Sequence, residues 1–423
     1  MIYVYSTLVV LAAAVAFPLA LLGSLREPAL RNNWHERLGY LPPWPAASPS
    51  PIWIQAVSVG EVQVARRLIP ELHPLLPAQP FLMTTTTPAG RRLAQAALPQ
   101  GTPVHFFPVD LPGVGGRALG RIRPRALVLI ETEIWPNLLR SCAATGVPVI
   151  VANGRISDRT YPRYRLVRSL LRRVLSGVGL FCMQSERDAE RILFLGAPED
   201  RIRITGNAKW DLDEAGPPPN AVRRTLGIPE DSPVLVAGST AAGEEEIVVA
   251  AWQRLRAGYP DLRLVLAPRH PERFGSVADL LERRRVPFTR RSEGASGPHA
   301  GVLLLDTLGE LRWVYHAGTV CFVGGSLRTR GGQNLMEPAA AGRPVLFGHR
   351  TENFSDAASS LLEAGAGFRV DDGPSLEAAV LRLLSHPDAS REAGARGMEI
   401  VKSHRGATRR TAEAIASLLS SGV

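Results

Sequence analysis

Short apolar runs alternate with helix-like segments in two successive series, and this alternation limits the possible folds more than any other feature of the sequence. Parallel strands are buried on both faces and need a crossover helix between them, so the pattern is typical of α/β structure. The apolar runs span Ile52–Val57, Pro80–Thr85, Ala126–Glu131, Val147–Asn153 and Gly179–Gln184 in the first series, and Val234–Gly238, Arg263–Pro268, Val302–Asp306, Thr319–Gly324 and Pro344–Gly348 in the second. The sequence therefore predicts two Rossmann-like domains that face a cleft, with ligands at the carboxyl ends of the strands.

A break in this pattern marks the predicted domain boundary. The chain has 423 residues, more than a single core usually organises. Between the two series, acidic residues, Gly216 and Pro217–Pro219 continue neither a strand nor a helix. We therefore predict an N-terminal domain over residues 25–212, a linker over 213–222 and a C-terminal domain over 223–423, whose last helix is a candidate for packing back on the first domain.

The N-terminus carries an apolar segment without charge, from Ile2 to Gly23. Its length is about that needed to cross a bilayer core as a helix. No Lys or Arg precedes it, as a secretory signal would require, whereas Arg26 and Arg37 follow it. By the positive-inside tendency, the sequence predicts a single-pass anchor over residues 1–24, with the body of the protein on the cytoplasmic side. A helix that lies on the membrane or packs on the protein is the alternative.

Basic residues outnumber acidic residues, which gives a formal net charge of +10. Arginine supplies almost all of the positive charge, because only Lys209 and Lys402 are lysines among the 49 basic residues. Such an excess fits a partner that carries phosphates, and we expect an anionic membrane surface or an anionic lipid. The sequence shows no basic stripe interleaved with aromatic residues and no known nucleic-acid module, so nucleic acid is not an expected partner.

Three cysteines stand far apart, at Cys142, Cys182 and Cys321, and none belongs to a C-x-x-C pair. Each is flanked by apolar residues, which is typical of a buried and unreactive thiol. We therefore expect neither a disulfide framework nor a zinc site, as in a reducing compartment.

Carboxylates follow two apolar runs of the first series. Glu61, in the motif SVGE, falls in the first turn of a helix, where the helix dipole stabilises its anion and leaves it ready to accept a proton. The alternative for Glu61 is an ordinary charge at a helix N-terminus. Glu131 and Glu133 follow the run ALVLI, and we expect at least one of them to face the cleft.

Two further motifs of the first half carry polar groups that could meet a ligand. Lys209, in TGNAKWD, could neutralise the charge of a departing phosphate, or form a salt bridge with Asp211 or the acidic linker. The hydroxyl cluster Thr84–Thr87 could contact sugar or phosphate oxygens. A threonine N-cap before Pro88 explains most of that cluster equally well, and we favour this structural interpretation.

In the second half, four segments follow strands or turns and offer groups for a nucleotide. Gly238–Thr240 leads into a helix and could bind an anion with main-chain N–H groups. Arg269 and His270 follow the next strand and offer donors for a phosphate. Glu337 closes a Gly-rich stretch and could accept hydrogen bonds from ribose hydroxyls, while Gly309–Leu311 could line the same pocket with main-chain groups.

Several well-known motifs are missing from the sequence. It contains no Walker A loop, H-E-x-x-H, G-x-S-x-G or Asp-x-Asp element, which argues against an ATPase, a zinc protease, a hydrolase and a metal-dependent transferase. The residues alone leave open a nucleotide-sugar enzyme that uses a UDP-sugar, and a non-catalytic membrane-tethered protein that binds a nucleotide or a lipid.

Twelve ordered segments resemble the 3-deoxy-D-manno-octulosonic acid (Kdo) transferases of lipopolysaccharide biosynthesis, over nearly the whole chain. The segments are HERLGY, AVSVGE, TTTTPAG, ETEIWPN, ANGRIS, TGNAKWD, AGSTAAGEEE, PRHPERF, DTLGEL, FVGGS, GGQNLMEP and TENF. The resemblance implies a GT-B glycosyltransferase at the cell inner membrane, with CMP-Kdo as donor, a lipid A precursor (lipid IVA) as acceptor, and neither a cofactor nor a metal.

The same resemblance assigns roles to residues. It implies Glu61 as the catalytic base, and Glu131 and Lys209 as the groups that stabilise the transition state. At Gln333 the chain departs from the family, which usually has histidine there; glutamine keeps the hydrogen bonding but has no titratable ring. The implied CMP contacts are Arg269, His270, Gly309, Glu310, Leu311, Asn334, Leu335, Met336 and Glu337.

Overall fold

The computed structural model describes residues 2–26, 33–212, 216–294, 301–329 and 331–421. Part of the predicted linker, residues 213–215, lies outside these described residues. The chain divides into two compact units, one made of residues 1–211 with 406–423 and the other of residues 212–405.

A parallel sheet of seven strands, in the order β3-β2-β1-β4-β5-β6-β7, forms the centre of the first unit. Its strands are β1 (Ile52–Gln55), β2 (Phe81–Thr85), β3 (Val104–Phe106), β4 (Ala126–Ile130), β5 (Val149–Gly154), β6 (Leu180–Met183) and β7 (Ile202–Ile204). The helices of this part of the chain are α1 (Ile2–Arg26), α2 (Trp34–Arg37), α3 (Val59–Leu75), α4 (Pro88–Ala97), α5 (Val114–Ile122), α6 (Pro136–Thr145), α7 (Tyr161–Leu166), α8 (Arg168–Leu175) and α9 (Glu186–Leu195).

The second unit also has a seven-stranded parallel sheet, in the order β10-β11-β9-β8-β12-β13-β14. Its strands are β8 (Val234–Thr240), β9 (Arg263–Pro268), β10 (Phe288–Arg290), β11 (Val302–Leu304), β12 (Val320–Val323), β13 (Val345–Phe347) and β14 (Gly367–Arg369). Its helices are α10 (Pro219–Thr225), α11 (Glu244–Leu255), α12 (Phe274–Arg283), α13 (Leu311–Val314), α14 (Met336–Ala340), α15 (Ser355–Glu363), α16 (Gly373–Ser385) and α17 (Pro387–Ser403).

Two parallel sheets are therefore present, as the alternation of apolar runs predicts, and each apolar run contains a strand. The sequence interpretation missed four strands, β3, β7, β10 and β14, and these are the edge strands of the two sheets. Each has only three residues, and an edge strand needs less apolar surface because one of its sides has no neighbouring strand.

Local signals set the helix boundaries in the first unit. Thr87 caps α4, because its hydroxyl accepts a hydrogen bond from the N–H of Gly90 at 3.1 Å, and Pro88 occupies the first turn. The structural interpretation of this threonine is thereby confirmed.

The three cysteines are free and buried, and burial raises the pKa of each thiol to about 12.

The last helix, α18 (Ala407–Ser420), packs against α3 within the first unit. Asp211 fixes its first turn: the carboxylate accepts hydrogen bonds from the N–H of Gly406 and from the N–H and hydroxyl of Thr408, each at 2.6 Å. A carboxylate at this place also interacts favourably with the helix dipole. The C-terminal segment thus completes the core below β1 and β4.

The N-terminal helix α1 is bound to the first unit by two polar contacts. The hydroxyl of Tyr5 donates to Asp110 at 2.9 Å, and the buried hydroxyl of Ser6 donates to the side chain of Asn137 at 2.7 Å. Within the described residues, no helix combines the length and apolarity that a membrane span requires. The predicted single-pass anchor is therefore not supported.

Asp110 joins α1 to the start of α6. Its carboxylate accepts the main-chain N–H groups of Asn137 at 3.1 Å and Leu138 at 2.8 Å, while the Asn137 amide donates to the main-chain oxygen of Asp110 at 2.7 Å. Trp135, the residue before the helix, makes no capping hydrogen bond with its side chain, so Asp110 acts as the cap from a distant part of the chain.

We expect Asp110→Ala to lower the free energy of unfolding by about 1–3 kcal/mol, because it leaves buried N–H groups of α6 without an acceptor. Urea denaturation followed by circular dichroism measures the change. Asp200→Ala, an exposed aspartate of the same unit, is the matched control and should change stability by less than about 0.5 kcal/mol. Equal stability of the two variants would contradict this role of Asp110.

Candidate active site

Glu61 lies just beyond the carboxyl end of β1, in the first turn of α3, and only 6% of the residue is exposed. Its carboxylate accepts hydrogen bonds from the main-chain N–H of Val57 at 2.6 Å and from the hydroxyl of Ser58 at 3.0 Å. Ser58 in turn accepts the N–H of Glu61, as in a capping box. These bonds fix the orientation of the carboxylate and still leave lone pairs for a further proton donor.

Glu131 follows β4 directly and has a left-handed backbone, with φ of 60°. A residue other than glycine rarely adopts this conformation, and such strain concentrates at functional sites. Two hydrogen bonds hold the strained turn against β5 and the loop that follows it. The N–H of Glu131 donates to the oxygen of Ala152, and the N–H of Arg155 donates to the hydroxyl of Thr132, each at 2.8 Å.

Lys209 forms an ion pair with Glu131, at 2.7 Å between Nζ and Oε1. It belongs to a 3₁₀ turn, Ala208–Trp210, whose position two asparagines determine. The side chain of Asn153 accepts the N–H of Ala208 at 2.9 Å, and that of Asn207 accepts the N–H of Lys209 at 3.0 Å. The rigid turn therefore presents the ammonium group to Glu131.

Three glutamates share this end of the sheet, and their charges interact. Burial raises the pKa of Glu61 to about 7; the hydrogen bond from Val57 opposes the rise, and the charges of Glu131 and Glu133 add to it. Burial, followed by the charge of Glu131, also raises the pKa of Glu133 to about 7. A carboxyl group that titrates near neutral pH is well matched to the work of a general base.

In the second unit, Arg269 and His270 follow β9, and both are exposed. The turn Gly309–Leu311 starts with a left-handed glycine at φ of 86°, which lets the main chain reverse sharply before α13. The carboxylate of Glu310 accepts two hydrogen bonds from Arg291, at 3.0 and 3.1 Å, and these bonds hold the pKa of Glu310 below its usual range. Because Arg291 already binds the carboxylate of Glu310, a ligand at this turn would meet its main chain.

The stretch Asn334–Glu337 starts α14. Asn334 accepts the N–H of Met336 and donates to the carboxylate of Glu337, both at 3.0 Å. Leu335 and Met336 are buried, so their side chains belong to the core, and a ligand at this stretch would meet the main chain and Glu337 instead. Burial, followed by the charge of Glu337, raises the pKa of the Tyr315 hydroxyl.

A buried glutamate that the sequence interpretation passed over, Glu244, binds the Gly-rich turn after β12. Its carboxylate accepts the main-chain N–H groups of Ala241 at 2.9 Å, Gly325 at 2.7 Å, Ser326 at 3.0 Å and Leu327 at 2.8 Å. These main-chain donors are therefore used within the protein. The anion site predicted at Gly238–Thr240 gains no support from this arrangement.

The structure thus brings Glu61, Glu131 and Lys209 together in the first unit, and Asn334 and Glu337 in the second. The alternative salt bridge between Lys209 and Asp211 is wrong, because each of these residues has other partners. Sequence reasoning assigned no role to Asn153. This residue has a left-handed backbone, with φ of 57°, and directly precedes Gly154 in the segment ANG. An Asn-Gly pair at a strand end was the available signal.

Comparison with known proteins identifies the family of this chain. Residues 32–212 match the family model described as 3-deoxy-D-manno-octulosonic-acid transferase (kdotransferase). The 3-deoxy-D-manno-octulosonic acid transferase of Haemophilus influenzae is 35% identical over 392 residues, covering 92% of this chain and 91% of that protein. The chain belongs to the Kdo transferase family. It is therefore a glycosyltransferase that transfers Kdo.

Other relatives extend the likeness. The Kdo transferase of Bordetella pertussis is 37% identical over 88% of each chain. Among solved structures, a glycosyltransferase of Rickettsia africae shares the fold with a TM-score of 0.58 at 11% identity, over 89% of this chain and 100% of that one. A UDP-GlcNAc 2-epimerase of Neisseria meningitidis has a TM-score of 0.57 at 13% identity, over 88% and 100% of the two chains, and at this identity the likeness concerns the fold alone.

If Glu61 is the general base, the rate of Kdo transfer should rise with pH through about 7, because the carboxylate accepts a proton only when it is ionised and about a tenth of it is ionised at pH 6. Glu61→Gln should lower the rate by at least about 10²-fold and leave the binding of CMP, measured by calorimetry, nearly unchanged. Glu71→Gln, an exposed glutamate of the same helix, should keep both the rate and the pH profile. Retained turnover in Glu61→Gln would refute the assignment.

Lys209→Met should lower kcat by about 10²–10³-fold, the usual loss when a preorganised donor to developing charge is removed. Its effect on unfolding should stay below about 1 kcal/mol, because the ion pair with Glu131 is partly exposed. The other lysine, Lys402, is exposed, and Lys402→Met is the matched control. A loss of activity that merely follows a loss of stability would contradict a catalytic role for Lys209.

Proposed function

We propose that this Kdo transferase moves Kdo from CMP-Kdo to a lipid A precursor, lipid IVA, during assembly of the lipopolysaccharide core, with Glu61 as general base. The environment of Glu61 carries the proposal: a buried carboxylate, oriented by Val57 and Ser58 at a strand end, with a pKa near 7. General-base assistance of this kind contributes about 10²–10⁴-fold to a rate.

In this mechanism, a hydroxyl oxygen of the acceptor attacks the anomeric carbon of Kdo. The bond from that carbon to the phosphate oxygen breaks, and CMP leaves with the electron pair. The acceptor hydroxyl gives its proton to the carboxylate of Glu61, so one C–O bond forms as another breaks. Kdo carries its own carboxylate, and the positive charge of Lys209 stabilises negative charge near the reacting carbon.

Glu131 and Lys209 act as one unit in this proposal. Glu131 keeps the ammonium group oriented, and its negative charge stabilises the oxocarbenium-like character that develops on the sugar. The strained backbone of Glu131 supports this role, because the fold holds an unfavourable conformation at the point where the side chain leaves β4.

For the donor, we propose that the second unit binds the CMP group. Arg269 and His270 are exposed at the end of β9 and offer donors to the phosphate. The carboxylate of Glu337, which Asn334 orients, accepts hydrogen bonds from the ribose hydroxyls. The main chain of Gly309–Leu311 contributes the remaining contacts, because Glu310 is engaged by Arg291.

A lipid acceptor also requires contact with a membrane surface, and we propose that this is the cytoplasmic face of the inner membrane. Helix α1 exposes apolar side chains, among them Leu8 at 61% and Leu11 at 59%. On α7 and α8, a surface groove of about 740 Å³ has four arginines in its lining, and Leu166 beside them is 85% exposed. Basic and apolar groups together favour binding to anionic lipid headgroups.

Incubation of the purified chain with CMP-Kdo and lipid IVA should yield a heavier lipid by at least one Kdo residue, as measured by mass spectrometry. CMP should compete with the donor, and UDP should compete at least about 10-fold less well, because nucleotide contacts in a built site discriminate bases. Release of free Kdo without a lipid product would contradict the proposed acceptor. Equal competition by UDP would contradict the proposed donor.

A further inference from the structure

A second cluster of charged residues lies at the carboxyl ends of β2 and β3. It consists of Arg37 from α2, Arg91 from α4, and Glu36 with His105 between them. Neither the base nor the ion pair of the candidate active site uses these groups. Ligands of parallel α/β sheets bind at this end of the strands, so the cluster lies where a ligand could bind.

The two arginines converge on one aromatic ring. The guanidinium carbon of Arg37 lies 4.3 Å from the centre of the Phe106 ring, and that of Arg91 lies 4.7 Å from the same centre. Each guanidinium is also held by a hydrogen bond: Arg37 donates to the main-chain oxygen of Thr86 at 2.9 Å, and Arg91 donates to Glu36 at 3.2 Å. Two positively charged groups are thus held against the same ring.

The carboxylate of Glu36 connects the members of the cluster. Glu36 is buried and binds Arg91, the ring of His105 at 3.0 Å and the N–H of Phe106 at 2.8 Å. Burial alone would raise the pKa of Glu36, but these hydrogen bonds and the charge of Arg91 hold it below its usual range. One negative charge faces two guanidinium groups, so the cluster has a net positive charge that an anion would balance.

The cluster is connected to the catalytic base through the main sheet. The hydroxyl of Thr86, whose main-chain oxygen holds Arg37, accepts a hydrogen bond from Gln55 at 3.4 Å. Gln55 is the last residue of β1, and the chain continues from it to Val57, whose N–H orients Glu61. An anion held by the arginines would therefore lie on the same edge of the sheet as the base.

We propose that Arg37 and Arg91 form a phosphate subsite for the acceptor, which binds a phosphate group of the lipid and positions its hydroxyl for Glu61. The subsite rests on the proposed function, because it takes the acceptor to be a phosphorylated glycolipid. Guanidinium groups suit this ligand, since each can give two parallel N–H groups to phosphate oxygens. The N-terminus of α4, capped by Thr87, adds its dipole next to Arg91.

The test compares lipid IVA with its dephosphorylated form, using the full-length chain. For the wild type, loss of the phosphates should lower kcat/KM for the acceptor by about 10–100-fold, the usual effect of hydrogen bonds to a charged group. On lipid IVA, Arg91→Gln should lower kcat/KM for the acceptor by the same factor relative to the wild type. On the dephosphorylated lipid, the variant should have nearly the same kcat/KM as the wild type. The KM for CMP-Kdo should stay within about twofold in both.

Arg92→Gln provides the matched control, because Arg92 is exposed on the same helix. It should use both acceptors as the wild type does. Arg37→Gln is the second variant, since it leaves the partners of Glu36 in place and should reproduce the phosphate-specific loss.

Two results would overturn the subsite. One is equal use of both lipids by the wild type; the other is an equal loss on both lipids in Arg91→Gln and Arg37→Gln, which would make the arginines structural. Failure of the wild type to use either lipid while it still hydrolyses CMP-Kdo would instead refute the proposed acceptor class, and the subsite with it.

Discussion

The ion pair between Lys209 and Glu131 is the interaction on which the proposed chemistry of the first unit depends. Three glutamates meet at one end of a buried sheet, where their repulsion would raise the cost of ionising any of them. A single ammonium group, held by a turn that Asn153 and Asn207 position, makes that concentration of charge tolerable. Burial, together with the charges of Glu131 and Glu133, raises the pKa of Glu61 to about 7.

Much of the fold could be predicted from the sequence, because ten apolar runs report the ten inner strands. The four edge strands have three residues each and bury less, so they leave no apolar signal. The same limit applies to the site. Glu61 and Glu131 follow strands and are visible in the sequence, whereas the partner of Lys209 lies 78 residues away and only the folded chain brings it near.

Buried carboxylates in this protein serve two different purposes. Glu244 gathers the N–H groups of a Gly-rich turn and Asp110 caps a helix, and both are satisfied by several donors from the main chain. Glu61 receives one main-chain donor and one hydroxyl. Glu61 therefore keeps more free lone pairs for a proton donor than Glu244 or Asp110 does.

Tyr5 contacts Asp110 and Ser6 contacts Asn137, and these contacts affect more than helix α1. These two acceptors secure the start of α6, and the strained turn with Glu131 comes immediately before that helix in the chain. Removal of helix α1 would take these contacts away. In this chain, trimming would also release the support beneath the turn, so a shortened enzyme would report a weakened active site rather than the native one.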